Sequence, residues 1–237
     1  MKVPLNPCYI LHQRAYRETS LILEVFSREH GRLSLVAKGA KRGKAGIRNL
    51  MQVTHRLAVA WSIRSQMGTL TAIEPDGPTC NLRGRWLIAA FYLNELLMRM
   101  LHRHESHPEL FDAYHTALTR LAGQEAEQAT LRIFEKNLLR SLGYGLILDH
   151  DVASGKLIDN DRDYNYQLDY GPMTTVPSVA EHVKISGRTL NALSEETLED
   201  EDSLQEAKLL LRFTLKRHLG TKPLASRVLY QSYLKTL

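Results

Sequence analysis

Cysteine is nearly absent from this chain of 237 residues. Cys8 and Cys80 are the only two, too few for a disulfide framework and suited to a reducing cytosol. No apolar run approaches the roughly 18 residues that a membrane span requires. The opening Met1-Lys2-Val3-Pro4-Leu5-Asn6-Pro7 has no apolar signal-peptide core. A cytoplasmic protein with no membrane partner is therefore expected. Short catalytic signatures are missing too. There is no Walker-A sequence, no dinucleotide fingerprint and no nucleophile elbow, so neither catalysis nor a cofactor is expected. Internal repeats and long low-complexity segments are also lacking. What remains is ordinary for a folded protein: 43% hydrophobic and 24% charged residues.

Charge is unevenly placed. Residues 1–80 hold 12 Lys and Arg against 5 Asp and Glu, a balance of +7. The remainder holds 19 basic and 21 acidic residues, a balance of −2. A basic N-terminal third points to a local module for polyanions. Its densest part is Val36-Ala37-Lys38-Gly39-Ala40-Lys41-Arg42-Gly43-Lys44-Ala45-Gly46-Ile47-Arg48. Glycine allows positive φ and close approach to a partner. Lysine and arginine neutralise phosphates, the main source of sequence-independent affinity for nucleic acid. A solvated hairpin loop is the competing reading, and in isolation the two stand level. The surrounding sequence favours phosphate contact.

Residues 8–74 read as β. Strands are expected at Tyr9–Gln13, Thr19–Phe26, Arg32–Ala37, Val53–Ile63 and Leu70–Glu74, with Gly31 in a left-handed turn position. Five short strands in about 70 residues suggest a small barrel, and the five-stranded oligonucleotide-binding barrel is the best-known such fold for single strands. Pro75-Asp76-Gly77-Pro78 then breaks the pattern. Helical spacing runs over Asn81–Glu105. A second helix opens at Ser106-His107-Pro108-Glu109, a capping-box pattern with an early proline. A third covers Glu125–Leu142, with Gly143 where a C-terminal cap belongs. Residues 149–177 lose periodicity and read as a loop or small irregular insert. Helix returns near Gly187–Ser194, at Ser203–Leu219 and at Leu224–Leu237, the last with a hydrophobic stripe. The fold class expected is α+β. Residues 1–78 form an oligonucleotide-binding barrel, and 79–237 form a mainly helical domain with an irregular insert at about 149–177.

Three constellations need weighing. Asp159-Asn160-Asp161-Arg162-Asp163 opens like a calcium loop, but Tyr164 occupies the glycine position and Tyr170 the position of the bidentate glutamate. It reads better as a polar surface loop. His102, His104 and His107 could hold zinc, yet cations near a helix C-terminus also offset the macrodipole, and no cysteine stands nearby. Tyr9, Tyr16, Phe26 and Trp61 could stack bases if exposed. Phe26 and Trp61 share parity with aliphatic neighbours and read as core. Tyr16 sits between Arg14 and Arg17 in a polar connector and is the better stacking candidate.

Residues 9–42, from Tyr9-Ile10-Leu11-His12-Gln13-Arg14-Ala15-Tyr16-Arg17 through Lys38-Gly39-Ala40-Lys41-Arg42, resemble the N-terminus of the RecO family of bacterial recombination mediators. Leu131-Arg132-Ile133-Phe134-Glu135, with Leu138, Leu139 and Leu142-Gly143-Tyr144, is similar to that family's central helix. His218-Leu219-Gly220-Thr221-Lys222-Pro223-Leu224-Ala225-Ser226-Arg227 is similar to its C-terminal segment. The resemblance implies a barrel followed by a helical domain, binding and annealing of DNA strands, contact with RecR and with the tail of single-strand-binding protein, and help in loading RecA. One departure stands out. Many members carry two cysteine pairs after the Leu-Gly-Tyr helix, forming a zinc site. Here Leu148–Gly155 and Gly171–Thr175 contain no cysteine. No structural zinc is expected, and the insert must be held by apolar contacts and hydrogen bonds.

The expectation is thus a nonenzymatic mediator that binds single- and double-stranded DNA. Lys38, Lys41, Arg42 and Lys44 contact phosphates, with Arg14, Arg17, Arg48 and Arg64 as outlying contacts and Tyr16 as a stacking ring. On the helix expected at Glu125–Leu142, Leu131 and Leu142 belong to an apolar stripe. Arg132 and Lys136 lie on a neighbouring basic face, and this pair of faces is the candidate seat for the single-strand-binding protein tail. A core helix with a solvated basic edge is an equal reading of the same pattern. Two rivals remain open: an RNA-binding barrel with a helical adaptor, and a metal-dependent nuclease using the Asp149–Asp169 carboxylates.

Overall fold

The computed structural model describes residues 2–41, 50–63, 67–175 and 181–235. Five strands come first: β1 Lys2–Tyr16, β2 Ser20–Ser27, β3 Gly31–Ala37, β4 Arg56–Ile63 and β5 Gly68–Pro75. They close into a barrel in the order β1-β2-β3-β5-β4, with every pair antiparallel except β3 with β5. The barrel expected from strand count and spacing is present.

Its interior follows from period-two alternation. Leu23 and Val25, Leu33, Leu35 and Ala37, and Leu57, Val59 and Trp61 all point into one buried cluster. β2 is more continuously apolar because it is buried on both faces. Its outward Phe26, with Tyr9 of β1, meets the aromatic side of a helix, where Tyr9 lies 5.3 Å from Phe111 and 4.9 Å from Tyr114 between ring centroids. Phe26 and Phe111 are 5.4 Å apart. Phe26 is therefore core, as expected, but core outside the barrel.

β1 is longer than the Tyr9–Gln13 strand read from sequence. Pro4 and Pro7 look like breakers, yet β1 pairs with β4 from Lys2 opposite Ser62 onward. The register shifts between Val3 and Asn6, and a bulge of this kind accommodates a proline that cannot donate to the ladder. Gly31 has φ +64, the left-handed turn its position demands. A Cβ there would lie 1.8 Å from the Glu105 carbonyl oxygen, so only glycine fits.

Contacts divide the chain into two compact units, residues 1–124 with 223–237, and residues 125–222. The first holds the barrel, α1 Gly84–Met100, α2 Pro108–Ala122 and, from further along the chain, the C-terminal helix Ala225–Leu234. Asn94 of α1 donates to the Leu11 carbonyl of β1 at 3.0 Å, and the Tyr114 hydroxyl donates to Asn94. The α2 cap differs from the sequence expectation. His107, not Ser106, is the N-cap and makes no side-chain cap bond. Ser106 instead donates to the Arg28 carbonyl at 3.1 Å.

The second unit contains α3 Glu127–Ser141, strands β6 Asp163–Gln167, β7 Gly171–Met173 and β8 His182–Ser186, then α4 Gly187–Glu195 and α5 Glu201–Leu219. The insert read as irregular carries most of a three-stranded sheet, in the order β7-β6-β8. Tyr164 and Tyr166 are its buried anchors. Their hydroxyls accept from the backbone N–H of Asp159 and Ile147, each at 3.0 Å. Gly143, at φ +82, follows the end of α3 as expected.

The C-terminal helix, α6 Ala225–Leu234, departs from its sequence reading. Ser226 is its buried residue, while Val228, Leu229 and Leu234 are 55%, 44% and 53% exposed. The apolar stripe largely faces outward. A carboxylate fixes the start of this helix: Glu95 accepts from Ala225 N at 3.0 Å, Ser226 N at 2.9 Å and Ser226 Oγ at 2.7 Å, and pairs with Arg99 at 2.7 Å.

Candidate nucleic-acid interface

The basic residues named from sequence come from separate strands, and strand register brings their stems to one end of the barrel. Arg14 lies opposite Ile22, which lies opposite Val36. Tyr16 pairs with Ser20, and Leu21 with Ala37. The β1–β2 turn and the residues leaving β3 are therefore neighbours. Two bonds join them: Lys41 N donates to the Thr19 carbonyl and Lys41 Nζ to the Arg17 carbonyl, both at 2.9 Å. Arg17 takes φ +51 in that turn, and its guanidinium lies 5.2 Å from the centre of the Tyr16 ring, within cation–π range. Tyr16 is half-buried, while Arg14, Arg17 and Lys38 are exposed.

Electrostatics sets this group apart. Elsewhere in the same unit cations are spent on acids: Arg28 on Asp112, Arg56 on Asp76, and Arg32 and Arg103 on the buried Glu24. Among the described residues no acidic side chain pairs with Arg14, Arg17, Lys38 or Lys41. Four cations held together without counterions can neutralise phosphates, and contacts of that kind position a strand without reading its sequence. Arg42, Lys44, Arg48 and Arg64 lie outside the described residues.

Beside this end of the barrel lies a cavity of about 790 Å³, between β1, β2, the chain before β4 and the start of α1. Of the residues named from sequence only Lys41 lines it. The others could not be found by pattern, because they come from five separated stretches with no common spacing.

The residues named for a partner on α3 are placed differently. Leu131, Arg132 and Lys136 are buried, and Leu142 caps the helix. Arg132 shows 8% of its side chain and pairs with Glu135 at 2.7 Å. Lys136 donates to the carbonyls of Leu193 and Ser194, at 3.0 and 3.2 Å, and pairs with Glu196 at 2.9 Å. Arg140 alone of that basic row is exposed. The helix is buried nearly all round, which corresponds to the core reading of its pattern.

The insert carries no gathered metal group. Among the described residues, no three His, Cys, Asp or Glu side chains converge as metal ligands. Four of its carboxylates have other partners. Asp149 bonds His150 at 2.8 Å, Asp159 pairs with Arg162 at 3.2 Å, and Asp169 with Arg217 at 2.5 Å. Asp151 joins the segments Leu148–Gly155 and Gly171–Thr175. Its Oδ1 accepts from Ala153 N and Ser154 N at 2.8 and 3.0 Å, and its Oδ2 from Thr174 N at 3.3 Å. Burial would raise its pKa, but these N–H donors outweigh that and hold it below the ordinary value.

Comparison with known proteins agrees with this architecture. Residues 1–78 match the family described as Recombination protein O N terminal, and residues 84–227 match Recombination protein O C terminal. A protein named DNA repair protein RecO from Nitrosococcus oceani is 46% identical over 231 residues, covering 98% of this chain and 94% of that protein. Those of the same name from Methylococcus capsulatus and Coxiella burnetii are each 42% identical, over 231 and 228 residues. They cover 98% and 96% of this chain, and 94% and 98% of their own.

Proposed function

The chain belongs to the RecO family, and from that premise we propose that it serves DNA repair and recombination as a nonenzymatic mediator. Residues 1–78 bind DNA strands, and residues 79–237 receive protein partners. The observation that carries the first part is the set of uncompensated cations, Arg14, Arg17, Lys38 and Lys41, at one end of the barrel. Arg42, Lys44, Arg48 and Arg64 extend it by their place in the sequence. Tyr16 offers a ring on which a base stacks.

Annealing follows from the same charges. Two single strands repel through their phosphates. A shared cationic surface lowers that repulsion and leaves the bases free to pair, since phosphate contacts do not occupy base edges. RecR and the tail of single-strand-binding protein are the partners that bring this activity to coated strands, and RecA loading follows from clearing them. The tail ends in an aromatic ring and a free carboxylate, so its seat needs an apolar wall and a cation. Leu131 and Leu142 supply the wall, and Arg132 and Lys136 the charge. Arg132 would exchange Glu135 for the tail carboxylate, a bidentate geometry that guanidinium favours.

Two complementary strands labelled as a fluorophore–quencher pair test the proposal. The protein should accelerate quenching without magnesium or a nucleotide. Unchanged annealing rates would overturn it. Tighter binding to RNA than to DNA of the same sequence at matched salt would favour the RNA-binding reading instead.

A further inference from the structure

The cavity beside the barrel has the chemistry of a base-binding site. At about 790 Å³ it lies within the 300–1,000 Å³ range of small-molecule sites, and its wall mixes apolar and polar side chains in about equal number. Leu87 and Phe91 of α1, Leu21 of β2 and Val53 of the chain before β4 supply apolar lining. Gln13, Gln52 and Asn81 bring amides, each able to donate and accept.

His55 gives a separate indication. It lines the cavity, and its Nδ1 is buried with no hydrogen-bond partner among the described residues. A buried polar atom left unpaired is costly and usually marks a missing partner. Burial also lowers its pKa, so at neutral pH the ring is uncharged, with one nitrogen donating and the other accepting. A base edge matches that pattern better than a phosphate does.

The charges lie where a phosphate would follow the base. Lys41 and Arg83 both line the cavity. Arg83 is the N-cap of the 17-residue helix α1, makes no side-chain cap bond, and is followed by a first turn without acidic residues. The positive end of a helix there favours an anion.

We propose that this cavity receives one unstacked nucleobase, with Phe91 against its face, His55 and the amides at its edge, and its phosphate between Lys41 and Arg83. This rests on the reading of the barrel as a DNA-binding module and adds a site for one base. The same chemistry could arrive within a strand or as a free nucleotide.

The test uses the full-length protein and an oligothymidylate carrying 5-iodo-deoxyuridine. Irradiation of the complex should cross-link the modified base to the cavity, at residues 52–55, 81, 87 or 91. Replacing thymidines by abasic sites should weaken binding of the wild type roughly tenfold, the scale of one lost stacking contact, with an unchanged salt slope. In Phe91→Ala that abasic penalty should shrink to the share that stacking on Tyr16 contributes. Asn81→Ala alters an exposed residue and should cut cross-link yield several-fold with the helix packing intact. Thymidine monophosphate as competitor separates the two sources: loss of the cross-link shows that free nucleotide also enters, and its retention shows a strand-only site. Equal affinity for abasic and intact strands, or cross-links confined to other residues, would overturn the cavity proposal while the strand still binds with its full salt slope. Failure of wild type to bind the strand at all would overturn the DNA-binding reading and this site with it.

Discussion

Replacing Asp151 should loosen the insert of the second unit. Its carboxylate accepts three backbone N–H groups, two within its own turn and one from Thr174 across the insert. Hydrogen bonds to charged groups contribute about 1.5–3 kcal/mol each when buried. Two of these serve a turn that water can reach once opened, and the third is long at 3.3 Å. About 1 kcal/mol per bond is therefore the fair figure, and Asp151→Ala should cost about 3 kcal/mol. Asp151→Asn keeps an oxygen for the two turn donors but sets an amide N–H against Thr174 N–H, and should cost about 1 kcal/mol. Urea unfolding measures both, as midpoint shifts at constant slope. Acid supplies a second reading. The folded pKa lies below the ordinary 3.8, so the carboxylate's contribution is fully present above that value and fades as pH falls through the folded one. The gap between wild type and Asp151→Asn should begin to narrow as pH falls below 3.8 and close once pH lies below the folded value. Asp151→Ala within about 0.5 kcal/mol of wild type, the range of an ordinary surface substitution, or a gap that persists in acid, would refute the reasoning.

Other expectations follow from single contacts. Gly31→Ala places a methyl 1.8 Å from the Glu105 carbonyl at a positive φ, and should lower stability by at least about 2 kcal/mol in thermal unfolding. Glu95→Gln should fray α6, visible as faster amide exchange at Ala225 and Ser226. Burial works to raise the Glu95 pKa, but the Ser226, Ala225 and Arg99 donors hold it below the ordinary 4.5, so the wild-type helix should loosen the same way as pH falls below that value. Arg132→Ala should weaken binding of a single-strand-binding protein tail peptide in fluorescence titration and leave binding of naked DNA unchanged. Equal tail affinity would move the seat to Arg120, Lys216 or Arg217.

The barrel was legible because alternation is a local signal. Leu33, Leu35 and Ala37 announce a strand with one inward face, and they lie in the core cluster. Where tertiary context overrides local pattern, reading failed. Pro4 and Pro7 break the local strand pattern in the first half of β1, yet with β4 alongside a register shift takes in Pro4 and Pro7 pairs with Ala58. Asp163–Gln167 looked like polar loop, yet Tyr164 and Tyr166 alternate inward and their hydroxyls serve distant backbone. Ser106 had the right spacing for a cap, and the Arg28 carbonyl claimed it. The functional surfaces show the same split. A cluster of cations is visible as composition, and the bond from Lys41 Nζ to the Arg17 carbonyl brings two of them side by side. The Arg132, Lys136 and Arg140 row is visible as periodicity, but spacing does not tell a solvent face from one tied to Glu135 and Glu196.

The basic loop should carry most of the phosphate affinity. Salt titration of single-stranded DNA binding, with wild type and a variant neutralised at Lys38, Lys41, Arg42 and Lys44 together, tests it most directly. Each lost phosphate contact should flatten the log–log salt slope by about 0.7 on single strands. Binding should weaken, and the slope should fall by close to four such steps. An unchanged slope in the quadruple variant would contradict it.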